Sequence, residues 1–407
     1  MPEITQQEQT AEGAKGLVLL AYGFRPMFIL LPAYLALSML LWGALWSGLI
    51  GLPFLENPLL WHIYELTFGA ASAGIIGFVL TAVPEFYERV KPVSGKCLLA
   101  ITLLWLAGRL SFWLIDWLGV WLVALVNLPL LLWLIALVSQ PLLQDPQRRH
   151  LSLLLTLVII WLIQVWFFVA AAGWVAADPM ALLRLGLGAF MVLVLISLRR
   201  INTGAINEWL DYEGIDAVFI ARPPRYNIAV LCITLFSLAE FLHPGTAVLG
   251  WLSLAAAAAI LNTLNDFFLE EANILLRPYV SYLLLVLLLM AAGYGLMGWD
   301  YLNESIYSIN HFRHFLTAGV LGLSFLTVMV IVGTIHTGRH LIRNPWADIA
   351  VLLVVTAAIA RGLIALFPAH APLLYAVSSL LWALAFVLYL IRFYVPLSQP
   401  RVDGLLG

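Results

Sequence analysis

The sequence predicts an all-α bundle of about twelve membrane-spanning helices, and three observations carry that prediction. Of 407 residues, 63% are hydrophobic and only 10% are charged, where a typical soluble domain carries about 25% charged residues. Apolar runs of roughly 20 residues, the length of helix that crosses ~30 Å of hydrocarbon, recur along the whole chain. Basic residues collect in every second gap between those runs. Such a chain could not cover its surface with polar groups in water, so the lipid bilayer is its solvent and its first partner.

The spans fall at 27–50, 62–84, 96–115, 117–139, 151–176, 180–199, 226–243, 247–269, 279–298, 311–335, 346–367 and 372–396. This divides the chain into an N-terminal tail (1–26), a polytopic membrane domain (27–396) and a C-terminal tail (397–407). The longest polar gap, about 200–225, is rich in Asn, Asp, Gly and Pro and reads as a loop with room for a short interfacial helix. The first residues lack the basic start and cleavage pattern of a secretory signal.

The positive-inside rule orients the spans. With a cytoplasmic N-terminus, the inward segments hold Lys15 and Arg25; Arg89, Lys91 and Lys96; Arg148 and Arg149; Arg199, Arg200, Arg222 and Arg225; Arg277; Arg339 and Arg343; and Arg392 and Arg401. These are 16 of the 20 basic residues, and no outward segment holds more than one. Both termini are therefore expected on the cytoplasmic side of the membrane.

The other four, Arg109, Arg184, Arg313 and Arg361, lie toward the outer ends of their spans. A charge there costs several kcal/mol unless it pairs or snorkels to the phosphates. Four at one level point to a shared anionic partner. The histidines segregate likewise: His62 opens the second span, His243 closes the seventh, His311 and His314 open the tenth, and His370 lies in the last outer loop. His62 and Glu65, Glu240 and His243, and His311 and His314 are each three apart, so each pair shares a helix face. The ordinary reading of a lone outer histidine is an interfacial residue facing headgroups. Three pairs at one depth form a candidate metal or haem constellation. Neutral imidazoles suit haem iron or copper, and arginines suit the propionates. No CxxCH attachment motif is present, so a haem here would be non-covalent.

Cys97 and Cys232 are far apart and read as apolar packing residues. There is no phosphate-binding loop and no basic patch with stacked aromatics, so nucleotide and nucleic-acid partners are not expected. Trp42, Trp46, Trp61, Trp117, Trp299 and Trp346 fall near span ends, as in an aromatic belt. His62 and Arg109 are 47 residues apart, as are His314 and Arg361, which suggests that spans 2–3 and 10–11 are related units. On the inner side, IHTGRHLIRNPW holds His336 and His340, with Gly338 expected to break the helix between them. About 33 Å of helix separates His336 from His314, so they cannot share a metal.

Four segments in order resemble the bacterial NnrS family: AYGFRPMFILL (a GFRPFF-like opening), WHIYELTFGAASAGIIGFVLTAVPEF (like WHxHE…GFxLTAxP), LLWLAGRL, and RHFLTAGVLGL…IHTGRHL (ending like GHTGR). The resemblance marks Arg25, His62, Glu65, Arg109, His314, His336 and Arg339. It implies association with haem and copper and with bacterial tolerance of nitric oxide and nitrosative stress. The chain departs from the pattern at Tyr64, where the family has its second histidine, at Ile335, and near Ile331.

The reading is then a haem-binding membrane protein of the nitric oxide response. Its expected axial ligands are His62 and His314, its propionate partners Arg109 and Arg361, and Glu65 would orient a histidine. His243, Glu240 and His311 are the candidates for a copper. Nitric oxide and an electron donor are the partners it implies, and whether the chain is an enzyme stays open. Two alternatives remain: a secondary transporter of a small anion or metabolite, with its site at the bundle centre, and an assembly protein that hands haem or metal to a partner.

Overall fold

The computed structural model describes residues 18–50, 57–87, 89–269, 273–277, 279–303 and 309–405. Lys15 and most of the expected N-terminal tail lie outside them. Twelve helices long and apolar enough to cross a membrane are present among the described residues: α1 (Phe24–Trp46), α2 (Pro58–Phe86), α3 (Gly95–Trp113), α4 (Val120–Gln144), α5 (Leu151–Ala171), α6 (Pro179–Tyr212), α7 (Pro223–Leu242), α8 (Ala247–Phe267), α9 (Val280–Leu302), α10 (Ile309–Ile335), α11 (Pro345–Leu363) and α12 (Pro368–Ser398). Each expected span has its helix, with ends moved by a few residues.

One boundary moves further. The stretch from 200 reads as loop, yet α6 continues to Tyr212. Its Asn, Thr and Gly residues lower the hydropathy, but Asn202, Ile206 and Leu210 recur at helical spacing and are buried. Beyond it Asn207 ties the returning chain, its side chain exchanging two hydrogen bonds with the backbone of Phe219.

Consecutive helices pack side by side, and α12 closes the set by packing along α1. Two helices sit inside. The apolar window of α2 is 89% buried and that of α10 is 67% buried, the highest values in the bundle. α2 touches α1, α3, α4, α6 and α10, and α10 touches α1, α6, α9, α11 and α12. These two helices carry His62, His311 and His314.

Both inner helices contain a π-helical stretch, Glu65–Ala70 in α2 and Phe315–Leu321 in α10. A π turn disturbs the regular backbone ladder and exposes carbonyls to outside donors; such turns concentrate at functional sites. In each case an indole N–H from a neighbouring helix supplies the donor. Trp105 Nε1 of α3 donates to the Gly69 carbonyl at 3.0 Å, and Trp382 Nε1 of α12 donates to the Ala318 carbonyl at 2.9 Å.

Both ends of the described residues lie at one end of the bundle. Arg25, fully buried in the first turn of α1, donates from its Nη1 to the carbonyls of Leu397 and Gln399, both at 2.8 Å. The C-terminal strap then crosses the turn after α10, where the Val402 amide meets the Thr337 carbonyl at 3.3 Å.

Candidate functional site

The site is a cavity of about 380 Å³ at the end of the bundle remote from the termini, within the usual range for a bound small molecule. It is walled by the second half of α1, the first turns of α2, α6, α10 and α12, and the end of α11. Most of the wall is apolar and aromatic, including Trp42, Trp46, Phe325 and Trp382. Its basic groups are His62, His311 and His314, with Arg184, Arg313 and Arg361. No carboxylate lines it among the described residues.

The three imidazoles differ in what they offer. His314 Nδ1 lies 2.6 Å from the Asn310 carbonyl, which can only accept. The proton must therefore sit on Nδ1, leaving Nε2 with its lone pair and the ring fixed in the way metal-ligating histidines are held. His311 is the reverse. Its Nδ1 accepts from Arg361 Nη1, so its other nitrogen carries the proton. The His62 ring lies flat on Trp42, with centroids 4.1 Å apart and planes at 5°. Its Nδ1 is buried and has no hydrogen-bond partner among the described residues.

The arginines divide as well. Arg313 forms a two-toothed pair with Glu240 of α7, at 2.5 and 3.0 Å, and Tyr301 donates to the same carboxylate at 2.9 Å. Its charge is spent. Arg361 stands over the Tyr375 ring at 4.6 Å, and neither Arg361 nor Arg184 has a carboxylate partner among the described residues. The cavity thus presents two guanidinium groups with no ion-paired carboxylate among the described residues, above an apolar floor.

Arg109 and Glu65 do not reach it. Arg109 Nη1 lies 2.5 Å from Glu65 Oε1 and its Nη2 2.5 Å from Asn127 Oδ1, all buried. The other Glu65 oxygen accepts from Tyr34, whose hydroxyl accepts from Trp113 Nε1 at 2.7 Å. Arg109, expected at a propionate, and Glu65, expected at a histidine ring, pair with each other instead of lining the cavity. Glu65 follows His62 by three residues, yet neighbours in α3 and α1 claim it. Gly69 is required there, because a Cβ at that position would collide with the Arg109 guanidinium.

The expected copper residues are not brought together. Glu240 is held by Arg313, His311 by Arg361, and His243 stands exposed at the end of α7. Among the described residues no group of three or more His, Cys, Asp or Glu side chains is arranged to hold a metal ion. Tyr64, where the family pattern has histidine, points away from the cavity. Its ring stacks on Phe112 at 4.1 Å, and its hydroxyl accepts from Gln164 at 2.9 Å.

Across the chain the family's model, described as "NnrS protein", matches residues 18–401. The chain belongs to the NnrS family. A comparison with curated proteins finds no match. In this NnrS family member Glu65 and Arg109 pair with each other, and the other motif residues fall into two groups. His62 and His314 line the cavity, with Arg361 beside them. Arg25, His336 and Arg339 gather at the other end, where Arg25 caps the end of α12 and does not line the cavity. Arg339 Nη1 contacts the Thr337 carbonyl at 3.3 Å.

Gly338 has φ +77°, and the Asp403 carboxylate lies 2.8 Å from where its Cβ would be. Arg401 holds that carboxyl down at about 2, so the strap pair stays charged across the physiological range. Gly338→Val is expected to add about 1–2 kcal/mol of backbone strain and to push the strap off. Limited proteolysis should then trim the C-terminal tail faster than in the wild type.

The aromatic residues Trp42, Trp46, Tyr375 and Trp382 are the part of the site that the sequence did not single out. Trp42 and Trp46 lie near a span end, where they resemble interfacial belt residues. Yet Trp42 is buried against His62, and Trp61 is buried beside it with ring centroids 6.3 Å apart. Trp46, stacked on Tyr375 at 5.1 Å, keeps part of its surface exposed.

Proposed function

We propose that this NnrS family protein binds haem non-covalently in the outer-end cavity and acts in the bacterial response to nitric oxide or nitrosative stress, in the inner membrane. The observation that carries the reading is His314: its Nδ1–H is committed to the Asn310 carbonyl and its Nε2 is left as a lone-pair donor. His62, flat against Trp42 with an orphaned ring nitrogen, is the second ligand candidate. Arg361 and Arg184 would take the carboxylates, and the apolar wall would exclude water from the ring. Bound haem iron would supply the coordination chemistry that nitric oxide meets. The donor set fits such a group and does not fit a separate copper centre, which needs ligands the structure disperses.

The test is an oxidised and dithionite-reduced absorption spectrum of the detergent-purified protein from haem-replete cells, with metal analysis. A Soret band and iron at about one per chain are expected. A colourless protein with neither iron nor copper overturns the reading. Arg184 and Arg361 would equally suit the carboxylate of a small transported anion, so uptake into proteoliposomes is the assay that decides for that alternative. Weak, substoichiometric haem would instead indicate a handover role.

A further inference from the structure

A second cavity, of about 480 Å³, lies at the terminal end of the bundle. It is walled by α2, α6 and α10, three of the helices that bound the first cavity. Along α10 the two linings come within six residues, from Phe325 to Ile331, about 9 Å of helix. The body of this cavity is apolar and aromatic, with Phe78, Phe86, Ile331 and Ile335. Its charged and titratable groups are Glu85, Arg200, Glu208 and His336. None of them has been given a part in the outer-end site.

We propose that this cavity binds a lipid-soluble hydroquinone or its quinone. His336 Nε2 lies 3.1 Å from Glu85 Oε1. A carboxylate only accepts, so Nε2 carries the proton and Nδ1 presents a lone pair. An imidazole backed by a carboxylate is an acceptor for a hydroxyl proton. Burial and the charges of Arg401 and Arg25 push the His336 pKa down to about 4, so the ring is neutral and able to accept at pH 7. Arg200 spans the other polar side. Its guanidinium lies 3.4 Å over the Phe86 ring, with Nη1 3.0 Å from His150 Nε2.

Hydroxyl acceptor, guanidinium donor and aromatic wall together suit a flat ring carrying oxygens and an apolar tail. A fatty acid fits less well, because Glu85 and Glu208 would repel its carboxylate. The inference concerns this cavity alone and does not depend on what the outer-end cavity holds.

The full chain in lipid nanodiscs would be labelled with a photoreactive short-chain benzoquinone and the label mapped by peptide mass spectrometry. Label is expected within 78–86 or 331–336, removed by excess unlabelled benzoquinone. His336→Ala should weaken that competition about tenfold, the worth of one good hydrogen bond. Ala82→Trp should fill the cavity and abolish the label, while Arg361→Gln at the other cavity should leave it unchanged. Label on the outer-end cavity, label that benzoquinone fails to displace, or label indifferent to both His336→Ala and Ala82→Trp overturns the proposal. Displacement by oleate and not by benzoquinone overturns it in favour of a fatty-acid site.

Discussion

His314→Ala is expected to reduce the haem of the purified protein from about one per chain to background, with loss of the Soret band. Losing the partner that merely orients a metal-bound histidine typically costs 10–100-fold in affinity, and this substitution removes the ligand itself. His62→Ala should shift or weaken the spectrum, because the second imidazole and its stack on Trp42 go together. His311→Ala should keep the band, since the free nitrogen of His311 carries a proton and its Nδ1 faces Arg361. Equal loss in all three variants would mean that the cavity had collapsed. An unchanged band in His314→Ala would remove His314 as a ligand.

Arg109→Ala should produce the largest loss of stability of any single substitution considered. It strands Glu65, which is wholly buried and 0% exposed. Breaking a buried ion pair by removing one partner costs about 3–5 kcal/mol, because the remaining charge is left without compensation. The expected readout is a much lower melting temperature and yield of folded protein in detergent. Glu65→Gln together with Arg109→Gln leaves two neutral hydrogen-bonding groups and should recover a good part of that loss. If Arg109→Ala instead matched the wild type in melting temperature, the pair would not be the tie between α2 and α3 that its geometry implies.

Much of this was legible in the chain. Composition and the periodicity of apolar runs determine a twelve-helix membrane protein, because the bilayer sets the length and polarity that every span must satisfy. The segregation of His and Arg to one level marked the end of the bundle where the cavity lies, since a charge in the membrane is costly unless something uses it. Spacing along a single helix could go no further. His62 and Glu65 share a helix face by count, but Tyr34 and Arg109, from other helices, claim the carboxylate. Arg313 and Arg361 read alike in sequence, yet Glu240 neutralises one and leaves the other available. Which nitrogen of each imidazole is free depends on its neighbour, a carbonyl four residues back for His314 and a guanidinium from α11 for His311. Local sequence decides where a polar residue stands along a helix; only the packing of several helices decides which polar groups satisfy each other and which are left for a ligand.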